Sequence, residues 1–175
     1  DKIKLVPFGE FLPFENILKK IGLKKITEGH TSFTKGKKTN IFIMNELKLL
    51  SLICYEVIFP ELSLGQKQKN LIVNITEDAW FGKTIGPSQH LAKAIFRSLE
   101  NNVFLIRSAN KGFSVFIDNK GIVKKILNPT EIGVIELNVP FINSVEKKYR
   151  IDLIFFILLL TCVFVCLIFN KNEKK

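Results

Sequence analysis

Apolar and polar positions along the chain follow two periods, and their succession predicts a mixed α/β fold. Lys2-Ile3-Lys4-Leu5-Val6 alternates with period two, which puts Lys2 and Lys4 on one face, and it breaks at Pro7 and Gly9. Glu10 follows in the turn, where a carboxylate is presented rather than buried. The two lysines read equally as solvated groups at a strand edge. Residues 15–25 place Ile17, Leu18 and Ile21 on one helical face, with Gly22 positioned to end the helix. His30 falls in a polar loop. Asn40–Met44 and Leu47–Ile53 read as a hairpin around Asn45-Glu46, and Pro60-Glu61-Leu62 turns into a brief helix ahead of Lys67-Gln68-Lys69.

The second half repeats the pattern. Leu71-Ile72-Val73-Asn74-Ile75 forms a short apolar run of buried-strand type. It leads into Thr76-Glu77-Asp78-Ala79-Trp80-Phe81-Gly82, whose adjacent aromatics read equally as a pocket lining and as a core plug. Residues 87–101 are the best-defined helix, with Ser88 as a cap and Leu91, Ala94, Ile95 and Leu99 at helical spacing. Residues 103–106, 113–117 and 122–126 read as strands, the last two joined by Asn119-Lys120-Gly121, and residues 134–139 as a strand closing the domain. Residues 153–169 differ in kind, because no charge interrupts them. With Ile151 and Asp152 the run is about 28 Å long as a helix, the thickness of a bilayer core. A transmembrane helix is therefore expected at 151–169, after a domain over 1–145 and before a basic tail over 170–175. Lys147, Lys148 and Arg150 on one flank nearly balance Lys171, Lys174 and Lys175 on the other, so charge does not orient it.

Composition narrows the function. Apolar residues make up 47% of the 175, which argues against disorder and for a packed core. The three cysteines, Cys54, Cys162 and Cys166, include two inside the apolar run, which fits neither a disulfide framework nor a zinc site. Cys162 and Cys166, four apart, read as packing groups. The net charge of +10 invites nucleic acid, but the lysines are dispersed and no nucleic-acid-binding motif accompanies them, so no nucleic-acid partner is expected. The chain starts at Asp1 in mid-pattern, so it is expected to be the C-terminal part of a longer protein.

Chemistry concentrates at Cys54. A thiol at the end of a buried strand is held rigidly, and the N–H of Tyr55 lies where an oxyanion would form. The plain alternative is a small buried hydrophobe. A lysine beside the thiol favours the thiolate and can donate to an oxyanion, so Lys2, Glu10 and Cys54 together make a coherent acyl-transfer site. His90 reads as a group shaping its loop. Arg107 reads equally as a core partner for a carboxylate and as a site residue.

Several motifs then occur in order: KxxLVPFGE from Lys2 to Glu10, Cys54-Tyr55-Glu56, DAWFG with GPxQH, and RSANKGFS with the IDxxG turn. Together they resemble the nitrilase (carbon-nitrogen hydrolase) superfamily, and within it the membrane branch of apolipoprotein N-acyltransferases. The resemblance implies part of an α-β-β-α sandwich followed by one transmembrane helix. It implies Cys54 as nucleophile, Lys2 as the oxyanion and triad lysine, and Glu10 as a supporting carboxylate. Tyr55 becomes the backbone oxyanion donor, Glu56 a residue near the nucleophile, and Trp80 and Phe81 substrate-binding aromatics. Glu77 stands where the family usually has asparagine.

The same resemblance implies a general-base glutamate on an earlier strand, outside this chain, so that these residues alone are expected to be inactive. It implies a phospholipid acyl donor, a diacylglyceryl-modified apolipoprotein acceptor and no cofactor or metal. The setting it implies is the bacterial inner membrane, with the catalytic domain on the periplasmic side. The alternatives are a membrane-anchored amidohydrolase and a non-enzymatic remnant.

Overall fold

The computed structural model describes residues 1–24, 32–37, 40–64, 69–142 and 151–172. His30, Lys67-Gln68, the basic flank at 147–150 and residues 173–175 lie outside them, as does the side chain of Cys166. The chain divides into two compact units, Asp1–Val145 and Glu146–Lys175.

The first unit is built on a six-stranded sheet in sequence order, β1 (Asn40–Met44), β2 (Leu47–Ile53), β3 (Leu71–Glu77), β4 (Phe104–Asn110), β5 (Ser114–Ile117) and β6 (Val123–Leu127). β1 and β2 form the antiparallel hairpin that the Asn45-Glu46 turn predicts, with Asn45 at φ 53°. β2, β3 and β4 are parallel, and each parallel pair needs a crossover. A 3-10 turn over Cys54–Ile58 and the short helix α2 (Pro60–Leu64) supply the first, and helix α3 (Gly86–Asn101) the second. A still shorter helix, α1 (Glu15–Leu18), precedes the sheet.

Strand alternation puts one row, Leu50, Ile72, Leu105 and Ile117, against α3, with Val57, Leu62, Ala94 and Val103 completing the core. The next row on the same face has two polar residues at its centre. It runs Leu52, Asn74, Arg107, Val115, all buried. Cys54 and the 3-10 turn over Ala79–Phe81 follow the C-terminal ends of β2 and β3, where open parallel sheets place their ligands.

Four expectations need correction. Residues 2–6 form no strand, because side-chain carboxylates take their amides: Glu56 accepts from the N–H of Ile3 and Lys4, and Glu10 from that of Val6. The helix expected over 15–25 is α1 plus a 3-10 turn to Ile21, and Gly22 at φ 81° does end it. Residues 134–139 pair with no strand among the described residues, and Val134 is exposed, since alternation makes a strand only where a sheet edge receives it. Ser88 does not cap α3: Ile85 stands at the N-cap with no side-chain cap hydrogen bond, and the Thr84 hydroxyl one residue earlier accepts from the N–H of Gly86 at 3.1 Å.

Helix α3 packs Leu91, Ala94 and Ile95 on the core as its apolar stripe predicts, but it also buries polar residues and leaves Leu99 outside. Its buried residues are Pro87, His90, Ala94, Arg97, Ser98 and Asn101, while Phe96 and Leu99 are half exposed. Polar side chains hold it there. Ser98 Oγ lies 2.7 Å from the carbonyl oxygen of Val103 and 2.5 Å from that of Asp118, and Asn101 Nδ2 donates to Ser63 Oγ.

In the second unit, α4 (Ile151–Asn172) is one helix of 22 residues, and the side chains described on it, including Cys162, are exposed. Among the described residues no helix is long and apolar enough to cross a membrane.

Candidate active site

Cys54 follows β2 and takes φ 53°, a left-handed conformation that costs a residue with a Cβ about 1–2 kcal/mol. Strain of this kind gathers where a side chain must be presented at an unusual angle. The thiol opens on a cavity of about 200 Å³ bounded by Val6, Pro7, Gly9, Glu10 and Tyr55 on one side and by Glu77, Trp80, Phe81 and His90 on the other. Its nearest recorded polar contact is long, 3.9 Å from Sγ to the carbonyl oxygen of Glu77.

Lys2 and Glu10 meet as a half-buried ion pair, Nζ to Oε1 at 2.6 Å, and the other Glu10 oxygen accepts from the Val6 N–H at 2.9 Å. Glu10 therefore fixes both the ammonium and the turn that walls the cavity. Tyr55 lies in the first turn of the 3-10 segment, whose leading N–H groups have no acceptor within the turn. Its ring packs edge-on against Phe59 at 5.6 Å. Trp80 is 60% exposed and stands at the rim, not in the core. Phe81 lies deeper, edge-on to the His90 ring at 5.6 Å.

Glu56 is not among the residues lining the cavity. It is 2% exposed, and its carboxylate accepts from Ile3 at 2.5 Å, from Lys4 at 3.1 Å and from Ile53 at 2.8 Å. It ties the segment that carries Lys2 to the strand that carries Cys54, so its place near the nucleophile is that of a clamp.

Beneath the cavity lies a group of buried polar side chains that the sequence reading did not assemble. Asn74 Nδ2 donates to the carbonyls of Leu52 at 3.0 Å and Cys54 at 3.3 Å. Asn74 Oδ1 accepts from Arg107 Nη1. Arg107 Nη2 reaches Asp78 Oδ2 at 2.7 Å, while Asp78 Oδ1 takes the Thr76 hydroxyl at 3.1 Å and His90 Nδ1 at 2.9 Å. Burial pushes the Asp78 carboxyl up, but the His90 hydrogen bond and the Arg107 charge outweigh it and hold Asp78 below its ordinary value. Burial likewise lowers the Arg107 guanidinium, against the pull of Asp78 and, more weakly, of Cys54. His90 thus does more than shape a loop, and Arg107 finds its carboxylate under the site. Among the described residues, His90 Nε2 and Arg107 Nε meet no hydrogen-bond partner. Among the described residues no group of His, Cys, Asp or Glu is gathered to hold a metal ion.

Glu77 turns its carboxylate to the local turn, accepting from the Ala79 N–H at 2.9 Å and from Asn110 Nδ2 at 2.6 Å. Both carboxylates that line the cavity, Glu10 and Glu77, are therefore already engaged.

Residues 1–146 match the carbon-nitrogen hydrolase family. The chain belongs to that family. It is 46% identical over 136 residues to the apolipoprotein N-acyltransferase of Allorhizobium ampelinum, covering 77% of this chain and 26% of that protein. It is 35% identical over 182 residues to the apolipoprotein N-acyltransferase of Agrobacterium fabrum, covering 99% and 34%. The chain thus spans about a quarter to a third of the length of these relatives. A CN-hydrolase superfamily protein of Xanthomonas campestris shares the fold at a TM-score of 0.52 and 13% identity, over 73% of this chain and 47% of that one.

Proposed function

We propose that the protein to which this chain contributes moves a fatty acyl group from a phospholipid to the N-terminal amine of a diacylglyceryl-modified apolipoprotein, through a thioester on Cys54. The observation that carries this reading is the strained Cys54 thiol facing a largely apolar cavity that Glu10, the ion-pair partner of Lys2, also lines. The names of the relatives support the substrate class.

In the first half-reaction a base takes the thiol proton and the thiolate attacks the ester carbonyl, forming the C–S bond. The Lys2 ammonium and the Tyr55 N–H stabilise the oxyanion. Collapse breaks the ester C–O bond, and the lysophospholipid leaves with the proton returned by the base. In the second, the acceptor amine attacks the thioester, a C–N bond forms, the C–S bond breaks and the amine proton passes through the base to the thiolate. The base that the family resemblance implies is a glutamate outside residues 1–175, and the engagement of Glu10 by Lys2 and of Glu77 by Asn110 supports that reading. The catalytic unit works on the periplasmic face of the inner membrane, the side the family resemblance implies, with α4 as its anchor; the uncharged run over residues 153–169 supports the anchor.

The test uses the full-length protein in liposomes containing phospholipid with a labelled acyl chain and a diacylglyceryl-cysteine peptide. The reading requires labelled N-acyl peptide and an equal amount of lysophospholipid. Labelled free fatty acid with an unmodified peptide would favour the amidohydrolase alternative. No turnover by a folded protein would favour a remnant.

A further inference from the structure

We propose that Asn74 and Arg107 are positioning residues for acyl transfer, aiming the Tyr55 N–H by holding the other end of its peptide. The inference rests on Cys54 being the acyl-accepting thiol. The carbonyl of Cys54 and the N–H of Tyr55 belong to one planar trans peptide, so they point in opposite directions and move together. Asn74 Nδ2 holds the carbonyl end at 3.3 Å and also the Leu52 carbonyl at 3.0 Å, so both amide hydrogens are taken up by the end of β2. From the other side Glu56 holds the Ile53 N–H at 2.8 Å. The left-handed turn at Cys54 is thereby fixed on both flanks, as a strained nucleophile must be.

An asparagine amide can face either way, and Arg107 decides which. A guanidinium only donates, so the Asn74 atom it meets is the oxygen, and the nitrogen must face the two carbonyls. Asn74 and Arg107 are register partners on β3 and β4, and Asp78 anchors Arg107 from beyond. Packing alone does not call for a guanidinium here, buried with its Nε unpartnered. Orienting one amide beneath the nucleophile does.

The test follows p-nitrophenolate release as the full-length protein is acylated by p-nitrophenyl butyrate, alongside alkylation of Cys54 by iodoacetamide, which passes through no oxyanion. Asn74→Asp keeps an acceptor for Arg107 and loses the donation to the Cys54 carbonyl. Its acylation rate is expected to fall on the order of 100-fold, the scale of losing one oxyanion donor. The KM for the ester and the alkylation rate should stay close to wild type. Acylation of a folded Asn74→Asp variant at the wild-type rate would overturn the proposal, and so would an equal fall in acylation and alkylation. Should Asn74→Asp fail to melt cooperatively, Arg107→Lys is judged by the same two rates. A wild-type burst with the ester but no transfer from phospholipid would overturn the lipid reading alone. No burst at all would overturn both.

Discussion

A methyl group at position 112 would lie 2.2 Å from Asp78 Oδ2 and 2.7 Å from its Cβ, so the turn after β4 passes directly over the Asp78 carboxylate. Gly112→Ala must push that carboxylate off Arg107 and His90. Overpacking of this kind typically costs about 1–3 kcal/mol, which urea unfolding would read, and acylation of Cys54 should slow with it. Asp78 itself gives a pH signature. Its carboxyl titrates below the unfolded value of 3.8, so its contribution to stability is complete above that value and is lost as pH falls through the lower folded value. Asp78→Asn should lose about 3–5 kcal/mol near neutrality by leaving Arg107 unpaired. It should also lack this group's share of the fall in stability below 3.8 when unfolding is followed against pH. Cys54 was legible because a thiol, a tyrosine and a carboxylate close an apolar run. Asn74 and Arg107 were not assembled from the sequence, because each is one polar residue in such a run. Only the β3–β4 register, across 33 residues, brings them together.

Most strands and the helices between them followed from periodicity and turn residues, the parallel pairing of β2, β3 and β4 did not, and α3 shows where periodicity misleads. Its stripe of Leu91, Ala94, Ile95 and Leu99 reads as the buried face; Ala94 is buried and Leu91 and Ile95 pack against the core, yet Leu99 is half exposed while His90, Ser98 and Asn101 are buried. A hydrophobic period ranks faces by transfer energy and says nothing of carbonyls waiting for a donor. The Ser98 hydroxyl lies within reach of two, those of Val103 and Asp118, and its one hydrogen is shared between them or given to either, so removing it takes away that donor. Ser98→Ala is therefore expected to destabilise the protein by about 1–3 kcal/mol in urea unfolding, where the same change on the exposed face would be nearly silent. The strand expected over residues 134–139 fails for a related reason: alternation states a preference, and a sheet edge has to receive it.

The sheet of the first unit carries α2 and α3 on the face of Leu50, Ile72 and Leu105, while on the opposite face Ile75 is 57% exposed. The sequence resemblance carried the family and the mixed α/β class; it did not show that both carboxylates lining the cavity are engaged, Glu10 by Lys2 and Glu77 by Asn110. With Glu10 and Glu77 both engaged, residues 1–175 alone are expected to give no acyl transfer above a Cys54→Ala control in the liposome assay. The most direct measurement takes the full-length protein with phospholipid bearing a labelled acyl chain, without acceptor, and reads the mass of the Cys54 peptide. A hydroxylamine-sensitive acyl mass on Cys54, absent from Cys54→Ala, is the predicted result. An unmodified Cys54 in a folded protein whose thiol still reacts with iodoacetamide would contradict the account.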